Sequence, residues 1–510
     1  MKLVDLMQRL DISDDADMTT LQNAAQDCAV INGIYYRAQD VQPGGLFVAI
    51  KGFAADGHDY IAQAVDRGAV AVVCEHPPAV DAVVLPVINS RKALATLAAD
   101  FYGRPSEHMT VIGITGTNGK TTTSYLIESI LQAAGLRTGV IGTINYRYGG
   151  RIFDNPVTTP ESLDLQRILA DMWAAGVTHA VMEVSSHALD LFRVHGCAFD
   201  IGVFTNFSQD HLDYHQDMAR YWACKQRLFS ESLPASAAIK ATRAVINCQD
   251  PKGRELTGDL TVPFLTTGQG AGYDIGVFSA RFDLNGITAR LRTPQGEMEV
   301  HSPLVGRHNL ENILNAAGAG ISLELPPETI GTGIGRLQSV PGRLERVPNA
   351  QQRYVYVDYA HTPDALENAL LALRGLTAER IVCVFGCGGD RDRAKRPQMG
   401  AIAGRLCDLA VVTSDNPLTE APDQIIQSIV EGVESVCKVR YTPAELADGF
   451  NSKGYVVEPD RRQAIRLAIG VSRPGDTILI AGKGHEPYQI VGQKRLPFND
   501  RQEAAQAMAG

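Results

Sequence analysis

No apolar stretch of this chain approaches the ~20 residues that a membrane-crossing helix needs. The first ten residues are amphipathic and broken by charge, which is not the pattern of a signal peptide. The nine cysteines are dispersed, with no C-x-x-C pair among them. An odd, scattered set reads as reduced thiols in a cytoplasmic protein, not as a disulfide framework. Positive charge is also in short supply, with 47 Lys and Arg against 57 Asp and Glu and a net charge of −10. That balance argues against non-specific nucleic-acid binding and leaves room only for a local basic cleft. Internal repeats and low-complexity segments are missing as well. What remains is ordinary globular composition, 45% hydrophobic and 20% charged. At 510 residues the chain exceeds one core and implies roughly three domains.

The most informative segment is Gly113-Ile-Thr-Gly-Thr-Asn-Gly-Lys-Thr-Thr122. It follows an apolar run at 109–112 and opens a stretch of helical periodicity over 121–134. Strand, glycine turn and helix start are the context of a phosphate-binding loop. Glycines let backbone N–H groups close on phosphate oxygens, and the helix start favours negative charge. Lys120 supplies a mobile cation, and the Thr121 hydroxyl is a ligand for Mg²⁺. The strict pattern is not fully met, because Ile114 stands where it asks for glycine. The competing reading is a tight strand–helix turn without a ligand.

Around this loop the chain divides into three parts, 1–105, 106–335 and 336–510. In the first, 46–50 and 69–74 read as short buried strands and 92–102 as a helix. In the second, strand candidates 109–114, 138–141, 179–184 and 200–204 alternate with helical patterns, predicting a doubly wound, largely parallel sheet. Residues 260–305 lack sustained helical periodicity and alternate instead, predicting an antiparallel excursion before a helix at 309–323. In the third part, strand candidates 354–357, 380–385, 409–413 and 477–481 each run straight into polar or glycine-rich sequence. Ligands of open α/β sheets bind outside the carboxyl ends of strands, so these four loops imply a substrate cleft.

Several side chains at strand ends are competent for chemistry. Glu183, in Glu183-Val-Ser-Ser-His187, is the best candidate ligand for a hard cation. His211, in Asn206-Phe-Ser-Gln-Asp-His211, reads equally as a ligand or as a hydrogen-bonded structural histidine. Lys225 looks like a plain helix lysine, and spacing gives no reason to single it out.

The order of these motifs resembles the Mur ligases, ATP-dependent amide-forming enzymes of peptidoglycan precursor synthesis. The resemblance runs through Gly116-Thr-Asn-Gly-Lys-Thr121, Glu183-Val-Ser-Ser-His187, Asn206-Phe-Ser-Gln-Asp-His-Leu-Asp213, Gly306-Arg-His-Asn309, Val340-Pro-Gly-Arg343 and Asp358-Tyr-Ala-His361. Thr158-Thr-Pro160, Gly386-Cys-Gly-Gly-Asp-Arg-Asp392, Asp415-Asn-Pro417 and Gly482-Lys-Gly-His-Glu486 are similar to the branch that adds the third residue. The resemblance implies an α/β, three-domain architecture. An N-terminal UDP-substrate domain (1–105) precedes a central doubly wound P-loop ATPase (106–335) and a Rossmann-like amino-acid-binding domain (336–510).

It also implies roles. ATP would be held by Gly116, Thr117, Asn118, Gly119, Lys120, Thr121 and Thr122, by Asn309 near adenine, and by Arg343 and Asp358. Mg²⁺ would be held at Thr121 and Glu183, with a second site at His211 and a carbamylated Lys225. Lys120, Lys225 and His211 would be the catalytic set. UDP-N-acetylmuramoyl-L-alanyl-D-glutamate would meet Thr158, Thr159, Ser185 and Arg193. In the first part, Lys51-Gly-Phe-Ala-Ala-Asp-Gly-His58 agrees with the family, whereas Arg37-Ala-Gln39 stands where Asp-Ser-Arg is usual.

The incoming amino acid would meet Arg391, Asp415, Asn416, Gly482 and Glu486. Relatives that use meso-diaminopimelate carry Asp-Asn-Pro-Arg, whose arginine meets the distal carboxylate; here Leu418 takes that place. The remaining cleft resembles the meso-diaminopimelate branch, with L-lysine as the alternative. Cysteine usage, charge and the lack of long apolar runs together lead to the expectation of a cytoplasmic protein, taken as a monomer, that neither inserts into membranes nor binds nucleic acid. Other readings are a related ligase such as folylpolyglutamate synthetase, and a non-catalytic nucleotide-binding regulator.

Overall fold

The computed structural model describes residues 1–14, 17–27, 30–52 and 55–509. Phe53 and Ala54 of the Lys51–His58 motif, and Cys28, lie outside them. The eight described cysteines are all buried free thiols. The chain forms two compact units. The first holds 1–276, 293–295 and 314–333; the second holds 277–292, 296–313 and 334–510.

The first unit contains two sheets. Four short parallel strands, Ile34–Tyr35, Gly45–Val48, Ala69–Cys74 and Val83–Pro86, form the smaller one in sequence order. The larger has eight strands. Its parallel part runs Phe264–Thr267, Arg243–Asn247, Ile201–Phe204, Thr110–Thr115, His179–Glu183, Thr138–Ile141. An antiparallel hairpin, Tyr146–Tyr148 and Arg151–Phe153, completes one edge. The parallel strands are apolar on both faces because helices cover both, as their near-continuous Val, Ile and Ala content requires. Thr110–Thr115 sits between His179–Glu183 and Ile201–Phe204, and the chain builds outward from it on both sides. Its carboxyl end is therefore the topological switch point, where such sheets bind ligands.

The second unit centres on a seven-stranded sheet in the order Glu345–Val347, Tyr354–Asp358, Thr477–Ala481, Ile381–Phe385, Leu409–Val412, Gly454–Val457, Arg440–Tyr441. All neighbours are parallel except the first pair. Four of these strands are those expected from the sequence, and each ends within one or two residues of its expected boundary. The alternating region at 260–305 contains a three-stranded sheet, Gly276–Asp283, Gly286–Thr293 and Gly296–Ser302. Links this short can only join antiparallel neighbours.

Candidate active site

The loop after Thr110–Thr115 is built by two glycines in conformations that other residues rarely adopt. Gly116 has φ +148° and Gly119 has φ +85°. A Cβ on Gly116 would lie 1.9 Å from Thr205 Oγ1, so the loop passes tightly under the neighbouring strand end. Side chains then lock it. Thr205 Oγ1 donates to Asn118 O (2.7 Å), and Asn118 N donates to Asn206 Oδ1 (2.9 Å). Thr117 Oγ1 lies 3.2 Å from both Ser208 O and Tyr221 OH. The helix Lys120–Ala133 starts directly from Gly119 with no side-chain cap, so the positive end of its dipole faces the loop. Thr121 and Thr122 are buried in its first turn. Lys120 Nζ folds back onto Gly116 O (2.8 Å) and Thr117 O (2.9 Å).

Glu183 ends the adjacent strand and is buried. Its Oε2 accepts from Thr121 Oγ1 (3.0 Å) and Thr143 Oγ1 (2.9 Å), and its Oε1 accepts from Thr143 N (3.0 Å). Gly142 makes room for it: a Cβ there would fall 2.3 Å from Glu183 Oε1. Among the described residues no group of three His, Cys, Asp or Glu side chains is arranged to hold a metal. Mg²⁺ does not require one, since it keeps waters and takes one or two protein oxygens beside substrate phosphates. The hard-oxygen pair Thr121 and Glu183, next to the phosphate loop, fits that ion.

Lys225 is the residue whose environment the sequence concealed. It lies on the helix Met218–Arg227, just before a π-helical turn at Leu228–Ser232. Only 1% of it is exposed. Its Nζ donates to Gly116 O at 2.7 Å and stands 4.5 Å from the Tyr221 ring centroid. Burial first, and then the Lys120 charge, hold its pKa well below the usual lysine range. A desolvated, readily neutral amine is a nucleophile towards CO₂. His211 also faces Tyr221, with ring centroids 6.1 Å apart, and packs 5.0 Å from His187. It has φ +53° and a side chain 47% exposed beside Asp210.

The four residues expected to meet the muramoyl dipeptide converge. Thr159 Oγ1 donates to Glu183 O (2.8 Å) and accepts from Ser185 N (3.2 Å). Arg193 Nη1 donates to Thr159 O (3.1 Å), while Thr158 Oγ1 lies 3.1 Å from Thr143 Oγ1. Glu161, not singled out from the sequence, pairs with both Arg193 (3.5 Å) and Arg91 (2.9 Å). Thr143 was also missed. Its signal is its position, two residues beyond the strand Thr138–Ile141.

In the second unit, Asn309 is buried with both ends of its amide engaged. It donates to Val305 O (2.7 Å) and accepts from Asn312 Nδ2 (2.9 Å). Asp358 Oδ2 accepts from Leu344 N (2.7 Å), next to Arg343. Burial raises the Asp358 pKa, opposed by the Arg343 charge and backbone N–H groups. Strand ends bring Asp415, Asn416, Gly482 and Glu486 together. Asn416 Nδ2 donates to Glu486 Oε2 (2.9 Å). Gly482, at φ +118°, passes so close to Asp415 that a Cβ would sit 2.4 Å from its Oδ2. Arg391 is exposed; a Cβ on Gly388 would lie 3.6 Å from Arg391 Cγ and 3.8 Å from Asn416 O, which places its stem beside this loop. Leu418 is half-buried at φ +53°, pinned by Leu418 N→Ile490 O (3.3 Å) and Gly492 N→Leu418 O (2.7 Å).

Comparison with known proteins places the chain in a family. Three family models match: the Mur ligase family catalytic domain at residues 30–102, the Mur ligase middle domain at 114–320, and the Mur ligase glutamate ligase domain at 342–484. The UDP-N-acetylmuramoyl-L-alanyl-D-glutamate--2,6-diaminopimelate ligase of Geobacter metallireducens is 50% identical over 479 residues, covering 94% of each chain. A solved structure of a ligase of the same name is 30% identical, covers 100% of this chain and 99% of its own, and superposes with a TM-score of 0.71. The MurF ligase from Thermotoga maritima in complex with ADP shares the fold, with a TM-score of 0.61 at 20% identity over 89% of this chain and 94% of its own.

Proposed function

The chain belongs to the Mur ligase family, an α/β fold with the three-domain architecture of those enzymes, and from that premise we propose that it joins a diamino acid to UDP-N-acetylmuramoyl-L-alanyl-D-glutamate at the expense of ATP. The divisions 1–105, 106–335 and 336–510 carry the UDP-substrate, ATP and amino-acid roles in this reading. The amino acid is meso-diaminopimelate in this reading; the names of relatives up to 50% identical give 2,6-diaminopimelate. The setting is cytoplasmic and the active form a monomer; among the described residues no helix is long and apolar enough to cross a membrane.

The D-glutamyl carboxylate takes the γ-phosphoryl group of ATP, and ADP leaves. The amine of the incoming amino acid attacks the acyl carbon, phosphate departs with the bonding electrons, and the amine loses a proton. Negative charge gathers on phosphoryl oxygens, so Lys120 and the uncapped N–H groups of Lys120–Ala133 supply stabilisation where it develops. Mg²⁺ held by Thr121 and Glu183 would neutralise phosphate charge. Lys225, as its carbamate, would change from a neutral amine into an anion facing the phosphate loop and, with His211, would support a second ion. Thr158, Thr159, Ser185 and Arg193 orient the muramoyl dipeptide. Asn309, Arg343 and Asp358 serve ATP. Arg391, Asp415, Asn416, Gly482 and Glu486 receive the amino acid.

The observation that carries this reading is the gathering of Lys120, Glu183 and a desolvated Lys225 around one loop. A nucleotide switch has no use for a second lysine buried against its phosphate loop. The test is phosphate release from ATP. It should require both the UDP-muramoyl dipeptide and the diamino acid; release with neither would return the chain to the class of nucleotide-binding regulators. Leu418 favours one second reading, the same ligase acting on L-lysine, since no cation stands at that position.

A further inference from the structure

Lys483 lies between Gly482 and Gly484 and is completely buried. Its Nζ donates to Asn416 Oδ1 (2.9 Å) and Glu486 Oε2 (3.2 Å) and stands 3.6 Å from Asp415 Oδ1. Glu486 also accepts from Asn416 Nδ2, and Asn416 Oδ1 accepts from Ile490 N (2.9 Å). One ammonium thus ties together two strand-end loops and the start of the hairpin Tyr488–Val491/Lys494–Pro497. The nearby Arg461, which also feels the charges of Asp415 and Glu486, is paired with Asp500 at 2.8 and 2.7 Å, with both side chains fully buried, so that pair adds no net charge. Two carboxylates, Asp415 and Glu486, therefore share a single ammonium. The cluster keeps one negative charge in excess, and the Glu486 side chain is 18% exposed while Lys483 is sealed beneath it.

We propose that Lys483 is a positioning residue that matches this cluster to a substrate carrying one ammonium beyond the amine that reacts. It never touches substrate. It fixes the rotamers of Asn416 and Glu486, and it cancels one of two carboxylate charges so that a single cation completes the site. A buried carboxylate pair without it would be left uncompensated, and would take up a proton or move apart. The proposal rests on the reading of this cluster as the amino-acid site.

The test uses the full-length enzyme with two ligands, meso-diaminopimelate and 2-aminopimelate, which lacks the second amine. The latter is measured as substrate or competitor. Lys483→Met should raise the KM for meso-diaminopimelate about tenfold or more, the effect of losing a hydrogen bond to a charged group. The KM for ATP should stay unchanged. The penalty should largely vanish with 2-aminopimelate, because the ammonium that the cluster serves is missing from it. An equal penalty on both ligands, or no penalty on either, overturns the proposal. Lys483→Gln, which keeps a donor without the charge, gives the same comparison if the Met variant does not fold. Glu486→Gln separates the premise from the inference. If Glu486→Gln leaves the KM for meso-diaminopimelate unmoved, the amino-acid site lies elsewhere. If Glu486→Gln weakens meso-diaminopimelate while neither Lys483 variant does, the role of Lys483 alone is refuted.

Discussion

Two lysines converge on the carbonyl of Gly116, and they differ in how the chain treats them. Lys120 is only partly buried and rests on the loop carbonyls it would leave for phosphate. Lys120→Ala should keep the fold and lower turnover by ~10²–10³, the usual loss for one well-placed electrostatic group. Near-wild-type turnover at saturating ATP would remove the phosphate-loop assignment. Lys225 is buried, and its amine is held readily neutral. Lys225→Ala should be almost inactive and recover in part with acetate, whose carboxylate replaces the carbamate. A lowered pKa keeps the amine neutral, and open to CO₂, further down in pH than an ordinary lysine; below that folded value the ammonium forms and carbamylation stops. Activity in bicarbonate-free buffer should therefore decline, and full activity of the alanine variant would end the carbamate reading.

At the scale of the element, the phosphate loop works because a strand end, two left-handed glycines and a helix start are packed under a second strand end. Gly116→Ala tests this without touching a charge. Its Cβ would collide with Thr205 Oγ1, and alanine pays heavily for φ +148°. ATP affinity measured by calorimetry should fall about tenfold or more, while the far-ultraviolet circular dichroism stays that of the parent. Unchanged affinity would mean that the loop backbone is not what holds phosphate. In the second unit, the hairpin after Glu486 does comparable work. Through Ile490 and Gly492 it holds Leu418 in a left-handed conformation that a branched side chain rarely adopts. Whatever side chain stands at 418, its direction is imposed by that pairing.

For the whole molecule, the prediction concerns which amino acid completes the product. In the proposed amino-acid site Asp415 and Glu486, with Lys483 between them, leave one excess negative charge for an ammonium, but Leu418 offers nothing to a distal carboxylate. The wild type should prefer meso-diaminopimelate over L-lysine by a modest margin in kcat/KM. Leu418→Arg should lower the KM for meso-diaminopimelate and leave that for ATP alone. A charge-assisted pair contributes ~1.5–3 kcal/mol, enough for tenfold or more in affinity. A much higher kcat/KM with L-lysine would change the substrate and leave the ligase chemistry intact.

Much of this was legible in the chain because it depends on local pattern. Apolar runs bounded by glycine mark parallel strands wherever they occur, and Gly-Lys-Thr after such a run marks a phosphate loop. Thr110–Thr115, Thr138–Ile141 and Ala69–Cys74 therefore fell within a residue or so of their expected limits. The two-residue strand Ile34–Tyr35 is too short to show a period, and Val83–Pro86 is only partly buried at three of its four positions and ends in proline. Folding alone decided what each polar side chain faces. Lys225 has the sequence surroundings of any surface-helix lysine, and it is exceptional only because the helix turns it towards Gly116, 109 residues away. Thr143 and Lys483 gain their roles in the same way, from carboxylates and an amide brought to them by other segments, and Glu161 gains its role from Arg91 and Arg193. Spacing along a chain records which face a residue occupies, whereas desolvation and charge depend on neighbours that only the packed sheet assembles.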